Sequence, residues 1–272
     1  MDRFLGQKTG YKAIYDNSLL VSIERKINRQ SLSIDSKNFY GFDIWNCYEL
    51  SFLSQKNKPE VRILEIFINS NSDNIIESKS LKLYLNSFNN SNFANDDEVL
   101  QLIQHDLSKA LNSDVILHMK KLEMYQGSWI TNFNGTNLDI LDVEMKNFYI
   151  EENMPYLSGE DMYVEEILFS NLLKSNCLVT HQPDWGTIQI NYKGLKIHHR
   201  SLLKYIISFR NHNEFHEHCI EQMFDDIMKH CNPNELTIYG RYTRRGGIDI
   251  NPIRSTNILK IEEINNFRQI RQ

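Results

Sequence analysis

Cys177 and Asp184 stand close together in the stretch SNCLVTHQPDWG, Ser175 to Gly186, and could supply a nucleophile and a proton donor. The thiolate is the attacking form of cysteine, and an unperturbed thiol with a pKa of about 8.5 supplies little of it at neutral pH, so a neighbouring base or cation would be needed. An aspartate beside Trp185 in an apolar pocket could keep a proton to donate. Each residue also has an ordinary reading. A lone cysteine before Leu178 and Val179 suits a small buried hydrophobe, and Pro-Asp-Trp-Gly suits a turn.

Three other stretches carry candidate chemistry. In NHNEFHEHC, Asn211 to Cys219, His212 and His216 have the spacing of two metal ligands on one helix face. However, Asn213 resembles an N-cap that would leave His212 outside the helix, and no HExxH is present. Glu217 shares a face with Glu221, where solvated carboxylates are the common case. In IIESKSLKLYLNSF, Ile75 to Phe88, the residues Lys79, Lys82 and Asn86 lie on the polar side of an amphipathic helix. Its expected first turn, Glu77, Ser78 and Lys79, offers free amides, a hydroxyl and an ammonium to an anion. RYTRRGGIDINPIRS brings Arg241, Arg244, Arg245 and Arg254 near Gly246-Gly247. That suits phosphate binding, or a hairpin whose edge is guarded by charge.

The elements that must position these residues fall into two similar halves. In the first, Phe42–Leu53 and Val61–Asn69 read as strands. A helix follows with Leu81, Tyr84, Leu85 and Phe88 on one face, then a second helix over DDEVLQLIQHDLSKALN with acids at its start, then a strand over Asp114–Met124. In the second half, Val164–Leu173 reads as a strand. Thr187–Tyr192 alternates, with Ile188, Ile190 and Tyr192 on one face, which indicates an antiparallel sheet with one wet face. Helices are expected over about His199–Arg210 and Glu214–Cys231. The latter carries Phe215, Cys219, Met223, Ile227 and Cys231 as a buried stripe, which places its two cysteines in the core. Strands over Glu235–Arg245 and Gly247–Asn251 close this half. The β-β-α-α-β-β order predicts an α+β fold with both helices on one face of an antiparallel sheet, and a boundary between Phe148 and Gly159.

Composition narrows the partners. The 272 residues suffice for one large domain or two ordinary ones, with 41% hydrophobic and 24% charged residues as in soluble globular proteins. A net charge of −5 gives no general attraction to nucleic acid. No apolar run reaches membrane-span length, and the first residues lack a signal-peptide pattern. Cys47, Cys177, Cys219 and Cys231 form no CxxC pair, so a reducing cytoplasm is expected. The absence of GxGxxG after a strand argues against a Rossmann domain.

Taken together, ESKSLKLYLNSFN, SNCLVTHQPDWG, FRNHNEFHEHC and RYTRRGGIDINPIRS closely resemble the NADPH-dependent 7-cyano-7-deazaguanine reductases, in their long two-module type. LGQKTGYKAIYDNSLL and FDIWNCYELSFL extend the resemblance over nearly the whole chain, while VSIER, Val21–Arg25, departs from the family's proline-containing stretch. The resemblance implies two tandem tunnelling-fold modules, residues 1–150 and 151–272, associating around a shared barrel, with a homodimer expected. It implies reduction of a nitrile on a free 7-deazaguanine base to a primary amine, a step toward the queuosine base of tRNA, with no direct nucleic-acid or membrane partner and no metal. Carried over residue by residue, Cys177 would form a covalent thioimide and Asp184 would donate protons. Ile76, Glu77, Ser78, His216 and Glu217 would contact substrate, and Ser78, Lys79, Arg245 and Gly246 would bind NADPH. Two rivals make different demands. A zinc-dependent cyclohydrolase of the same fold would use His212, His216, His218 and Cys219 together. A non-catalytic module binding a purine-like base or tRNA would not need Cys177.

Overall fold

The computed structural model describes residues 12–30, 32, 39–125, 130–149, 157 and 160–272. The chain divides into two compact units. Unit 1 draws on Met1–Gln30, Asp43–Trp129 and Arg244–Asp249, and unit 2 on Ser31–Phe42, Ile130–Thr243 and Ile250–Gln272. The boundary expected near residue 150 lies outside the described residues, as does LGQKTGY at the start of the resemblance. The units also differ from a single cut, since residues 130–149 go with unit 2 and residues 244–249 with unit 1.

Unit 1 starts with β1 (Ser22–Glu24) and α1 (Arg25–Arg29), followed by the long strands β2 (Tyr40–Ser54) and β3 (Pro59–Asn69). Then come β4 (Asn74–Ile76), α2 (Ser78–Asn86), β5 (Asn92–Phe93), α3 (Asp96–Leu111) and β6 (Val115–Lys120). The strands lie in the order β6-β3-β2, with β3 and β6 antiparallel, and β1 pairs antiparallel with β4. The expected stripe is buried, Leu81, Tyr84 and Leu85 in α2 and Phe88 in the 3-10 turn that follows it, but Asn86 is buried as well and leaves the polar face. At the start of α3, Asn95 accepts from Glu98 N, and Asp96, Asp97 and Glu98 complement the dipole. The helix stops at Asn112 in the left-handed region, and Val99, Ile103, Leu107 and Leu111 fill its inner face. β6 ends at Lys120, earlier than expected, and the chain turns into a 3-10 helix over Leu122–Tyr125.

Unit 2 contains β7 (Thr136–Asn137), β8 (Glu160–Ser170), β9 (Lys174–Asn176), β10 (Pro183–Lys196), α4 (His199–Ser208), α5 (His216–Cys231), β11 (Glu235–Tyr242) and β12 (Ile248–Ser255). Its strands lie in the order β12-β11-β10-β8-β7, antiparallel except for β7 with β8, and β9 pairs with β10. Ile188, Ile190 and Tyr192 enter one core with Leu202, Leu203 and Ile206 of α4 and Cys219, Met223 and Ile227 of α5. Phe215 and Cys231, at the ends of the expected stripe, are only partly buried. Thr187 departs from the wet face and is buried, its hydroxyl bonded to Asn171 and Arg271. Both units are thus α+β with antiparallel-rich sheets.

Charge is buried in unit 2 where the sequence suggested exposure. Arg254 is 0% exposed and Glu221 3%, and the guanidinium meets the carboxylate at 2.7 and 3.1 Å while also donating to Phe42 O and Ile253 O. Removing one member strands the other, at a cost of about 3–5 kcal/mol, whereas apolar replacement of both is far milder. Glu221→Leu is therefore expected to lower the denaturation midpoint sharply, and adding Arg254→Met to recover most of the loss. A second expectation concerns Asp226, which accepts from the Tyr205 hydroxyl at 2.7 Å. Burial pushes its pKa up to about 6, against the lowering effect of that hydroxyl. The folded chain then holds a proton the unfolded chain loses between about pH 4 and 6, so this group's stabilisation is lost as pH rises through that window. Asp226→Asn should add roughly 1–3 kcal/mol at pH 7.5 and flatten the dependence of melting temperature on pH between 4 and 6.

Candidate active site

The hairpin of β9 and β10 carries the cysteine and the aspartate. Ser175 pairs with Asp184 and Asn176 with Pro183, and Cys177 N donates to Gln182 O at 2.9 Å, extending the ladder by one pair. Side chains of paired residues share a face and alternate along each strand, so Ser175 and Asp184 share a face and continuing the alternation one residue past β9 brings Cys177 to that side. The loop Leu178–His181 closes it, with His181 left-handed at φ 54° and its amide donating to Cys177 O. Pro-Asp-Trp-Gly is therefore the opening of a strand, where proline's missing N–H is tolerated. The expected turn lies upstream, in residues without proline or glycine.

The outer edge of β9 is held by an extended strap. Asn176 N donates to His212 O at 2.8 Å and Glu214 N to Asn176 O at 3.1 Å, while Asn213 Oδ1 lies 3.3 Å from His181 Nδ1. This pairing keeps residues 212–214 extended, so α5 starts at His216 with Phe215 as its N-cap, two residues later than expected. His216 and Glu217 open the helix directly beside the strap. His216 Nε2 is 3.3 Å from Asp184 Oδ2, and Asp184 is only 8% exposed. The imidazole lies flat on the ring of Tyr242, with centroids 3.9 Å apart and planes 13° apart. Glu217 is 4% exposed, so it is no solvated helix carboxylate.

The surroundings are charged and partly dry. Lys174 Nζ donates to Asn176 Oδ1 and, at 2.6 Å, to Arg210 O. Burial, followed by the Arg210 charge, lowers its pKa against the pull of Asp184. The Arg210 guanidinium lies 5.3 Å over Trp185. Burial raises the pKa of Glu214 and lowers that of His212. The histidines do not converge: His218 faces Glu214 at 4.0 Å, and His212 sits edge-on to Phe209. Among the described residues no group of three His, Cys, Asp or Glu is placed to hold a metal.

Unit 1 holds the remaining candidates. Ile76 is buried at the end of β4, Ser78 is exposed, and Glu77 and Lys79 are half-buried. Glu77 is the N-cap of α2, its carboxylate accepting from Lys79 N at 3.0 Å and Ser80 N at 2.7 Å. The amides expected to receive an external anion are thus bonded to the chain's own acid, although each carboxylate oxygen keeps capacity for a further donor. Arg245 N and O both bond to Ile248, closing a two-residue turn in which Gly246 and Gly247 take φ 59° and 77°. That is a type I′ geometry, which demands positive φ at both central residues. Lys82 Nζ donates to Gly246 O at 2.7 Å and so ties α2 to this turn. The Arg244 guanidinium stacks 3.7 Å over Tyr48, with Nε and Nη2 buried and without a hydrogen-bond partner. The four-arginine cluster read from the sequence therefore divides. Arg241 and Arg254 are buried structural residues of unit 2, and only Arg244 and Arg245 border the turn.

Two residues escaped the sequence reading. Tyr242 carried no signal beyond its place in a strand, and Lys174 lay outside every motif. Strand pairing with Gly186 and Trp185 respectively brings them to the hairpin.

The chain matches two family models, one described as nitrile reductase, 7-cyano-7-deazaguanine-reductase N-term over residues 11–119, the other as QueF-like protein over residues 183–260. Proteins from Legionella pneumophila strains Corby, Paris and Lens, each named NADPH-dependent 7-cyano-7-deazaguanine reductase, are each 52% identical over 98% of this chain and 94% of their own. A crystal structure of the archaeosine synthase QueF-Like in the apo form aligns with 37% of this chain and 100% of its own, at 13% identity and a TM-score of 0.32. With nearly full-length identity at this level, the chain belongs to the family of NADPH-dependent 7-cyano-7-deazaguanine reductases.

Proposed function

We propose that this chain reduces the nitrile of 7-cyano-7-deazaguanine to the primary amine through a covalent thioimide on Cys177. The observation that carries the reading is that Cys177 and Asp184 stand on one hairpin, with His216 3.3 Å from the aspartate, in a member of this family. Converting a nitrile to an amine takes two hydrides and two protons, and NADPH, when bound, supplies one hydride per molecule. Cys177 Sγ adds to the nitrile carbon, and the electron pair of the breaking C–N π bond goes to nitrogen, where Asp184 delivers a proton. Once the carbon is saturated to the hemithioaminal, the C–S bond breaks, the thiolate leaves and an imine remains to be reduced. His216, whose Nε2 lies 3.3 Å from Asp184 Oδ2, is placed to return the proton between the two reductions. Glu217 and Glu77 are each suited to a guanine-like edge, because a carboxylate accepts two parallel N–H bonds, and Ile76 and Ser78 are further substrate contacts in this reading.

The residues present fit NADPH. Its phosphates need cations and close backbone, and Lys79, Arg245 and the Gly246-Gly247 turn supply both, with Ser78 adding a hydroxyl. The buried, unpartnered Nε and Nη2 of Arg244 at the same turn are polar atoms of the kind an anion would satisfy. The same proposal includes two tandem tunnelling-fold modules, residues 1–150 and 151–272, a homodimer, and action on the free base in the cytoplasm. The order β2-β3-α2-α3-β6, repeated as β8-β10-α4-α5-β11 with β12 added, supports the modules. No helix among the described residues is long and apolar enough to cross a membrane.

Purified protein mixed with 7-cyano-7-deazaguanine should oxidise two NADPH per nitrile, read by loss of cofactor absorbance. Cys177→Ala should oxidise none, and Asp184→Asn should be slowed about 100-fold or more. Undiminished oxidation by the Cys177→Ala protein would remove the thioimide. Glu77→Gln keeps an acceptor at the helix cap, so its melting temperature should stay near wild type while substrate KM rises roughly 10-fold to 100-fold through loss of a charged hydrogen bond. An unchanged KM would confine Glu77 to capping.

A further inference from the structure

His216 has two ring nitrogens, and only one is engaged. Nε2 faces Asp184, whereas Nδ1 is buried without a hydrogen-bond partner. An imidazole is ordinarily oriented by the bond its second nitrogen makes, so something else must hold this ring in plane. The only aromatic face against it among the described residues is that of Tyr242.

We infer that Tyr242 is a positioning residue: its ring face sets the plane of the His216 imidazole so that Nε2 meets Asp184. The inference rests on the proposed roles of those two residues in the reduction. Helix and strand periodicity line the two rings up. His216 and Ile220 are one turn apart on α5, and Gly240 and Tyr242 point to the same side of β11. Ile220 fills the space over Gly240, where an added Cβ would meet its Cδ1 at 2.6 Å, and the preceding turn brings His216 over Tyr242. Tyr242 in turn lies against Gly186, its partner on β10, two residues beyond Asp184. A Cβ there would meet Tyr242 Cδ1 at 3.3 Å and Leu173 Cδ2 at 3.2 Å, so the ring occupies a fitted slot. The backbone is pinned as well, since Tyr242 O accepts from Gln272 Nε2 at 2.9 Å. Burial above all holds the phenol protonated far above neutral pH, which suits a platform better than an acid.

The test compares Tyr242→Phe with Tyr242→Leu, measuring kcat, KM and, in crystals, the separation of His216 Nε2 from Asp184 Oδ2. Phenylalanine keeps the face and should retain at least about half of kcat, whereas leucine should lose about 10-fold to 100-fold in kcat with KM little changed, as small misplacements of catalytic groups do. In the leucine variant the Nε2–Oδ2 separation should exceed hydrogen-bond distance. Should that variant not fold, Gly186→Ala narrows the slot and is expected to lower kcat in the same direction. The inference is overturned if leucine retains kcat, if phenylalanine falls as far as leucine, or if the separation is unchanged. A wild type that oxidises no NADPH would instead sink the reductase reading, and the crystallographic separation would still decide what Tyr242 does.

Discussion

Gly240 lets α5 approach β11 closely enough for Ile220 to pack where a side chain would stand, and the geometry of the unit 2 site depends on that approach. A methyl group there would push the helix outward, and because α5 is a rigid rod the displacement would be felt at His216 one turn away. The hairpin side is equally constrained. β9 is only three residues long, yet it is bonded along one edge to β10 and along the other to residues 212–214. The strap that secures β9 is the same segment that delays the start of α5. The position of Cys177 and the position of His216 are thus set by one run of backbone hydrogen bonds rather than by two independent elements.

A consequence is visible in the acids of α5. Glu217, Glu221 and Asp225 recur one turn apart and all are buried. Glu221 is explained by Arg254, a pair that lies wholly within unit 2. Glu217 is in the first turn, where the amide dipoles favour a negative charge and reduce the cost of burying one. Carboxylates removed from water cost free energy unless bonded, so a helix that buries three of them needs compensating partners, as Arg254 is for Glu221. Asp226, the neighbour whose pKa rises to about 6, marks the limit: a single tyrosine hydroxyl does not fully offset its burial.

Long periodic elements were legible in the sequence because their signals are local. The α2 stripe, the α3 cap and acids, and the alternation of Ile188, Ile190 and Tyr192 each follow from a pattern within a few residues of chain. What was not legible depends on partners distant in sequence. Nothing near Glu221 indicates that Arg254 will bury it, and nothing near Glu214 indicates that Asn176 will hold it out of the helix. Pro-Asp-Trp-Gly misled for a related reason. Its composition is that of a turn, but strand pairing with Lys174–Asn176 overrides local preference, and the turn moved into Leu178–His181. The arginine cluster divided because sequence proximity does not distinguish a residue pointing into the core from one at a turn. The roles given to candidate residues in the four motif-bearing stretches came from the resemblance, and residue types and spacing alone left Cys177 open between a core cysteine and a nucleophile.

The four cysteines show why location separates them better than composition. Burial raises the pKa of Cys47 and Cys219 far above neutrality and that of Cys231 up to about 12, so all three remain thiols at any ordinary pH. A thiol that cannot ionise is a poor nucleophile toward a nitrile. Cys177 is neither buried nor part of a hydrophobic stripe. Its backbone N–H and C=O are both bonded within the hairpin, so the residue is fixed while its side chain is not enclosed. It is also the cysteine whose side chain shares a hairpin face with an aspartate. In the proposed thioimide route, a nucleophile that attacks, holds its adduct through one reduction and then departs needs a rigid main chain and an accessible sulfur. The Cys177–Gln182 ladder pair provides the first, and partial exposure at the mouth of the loop provides the second.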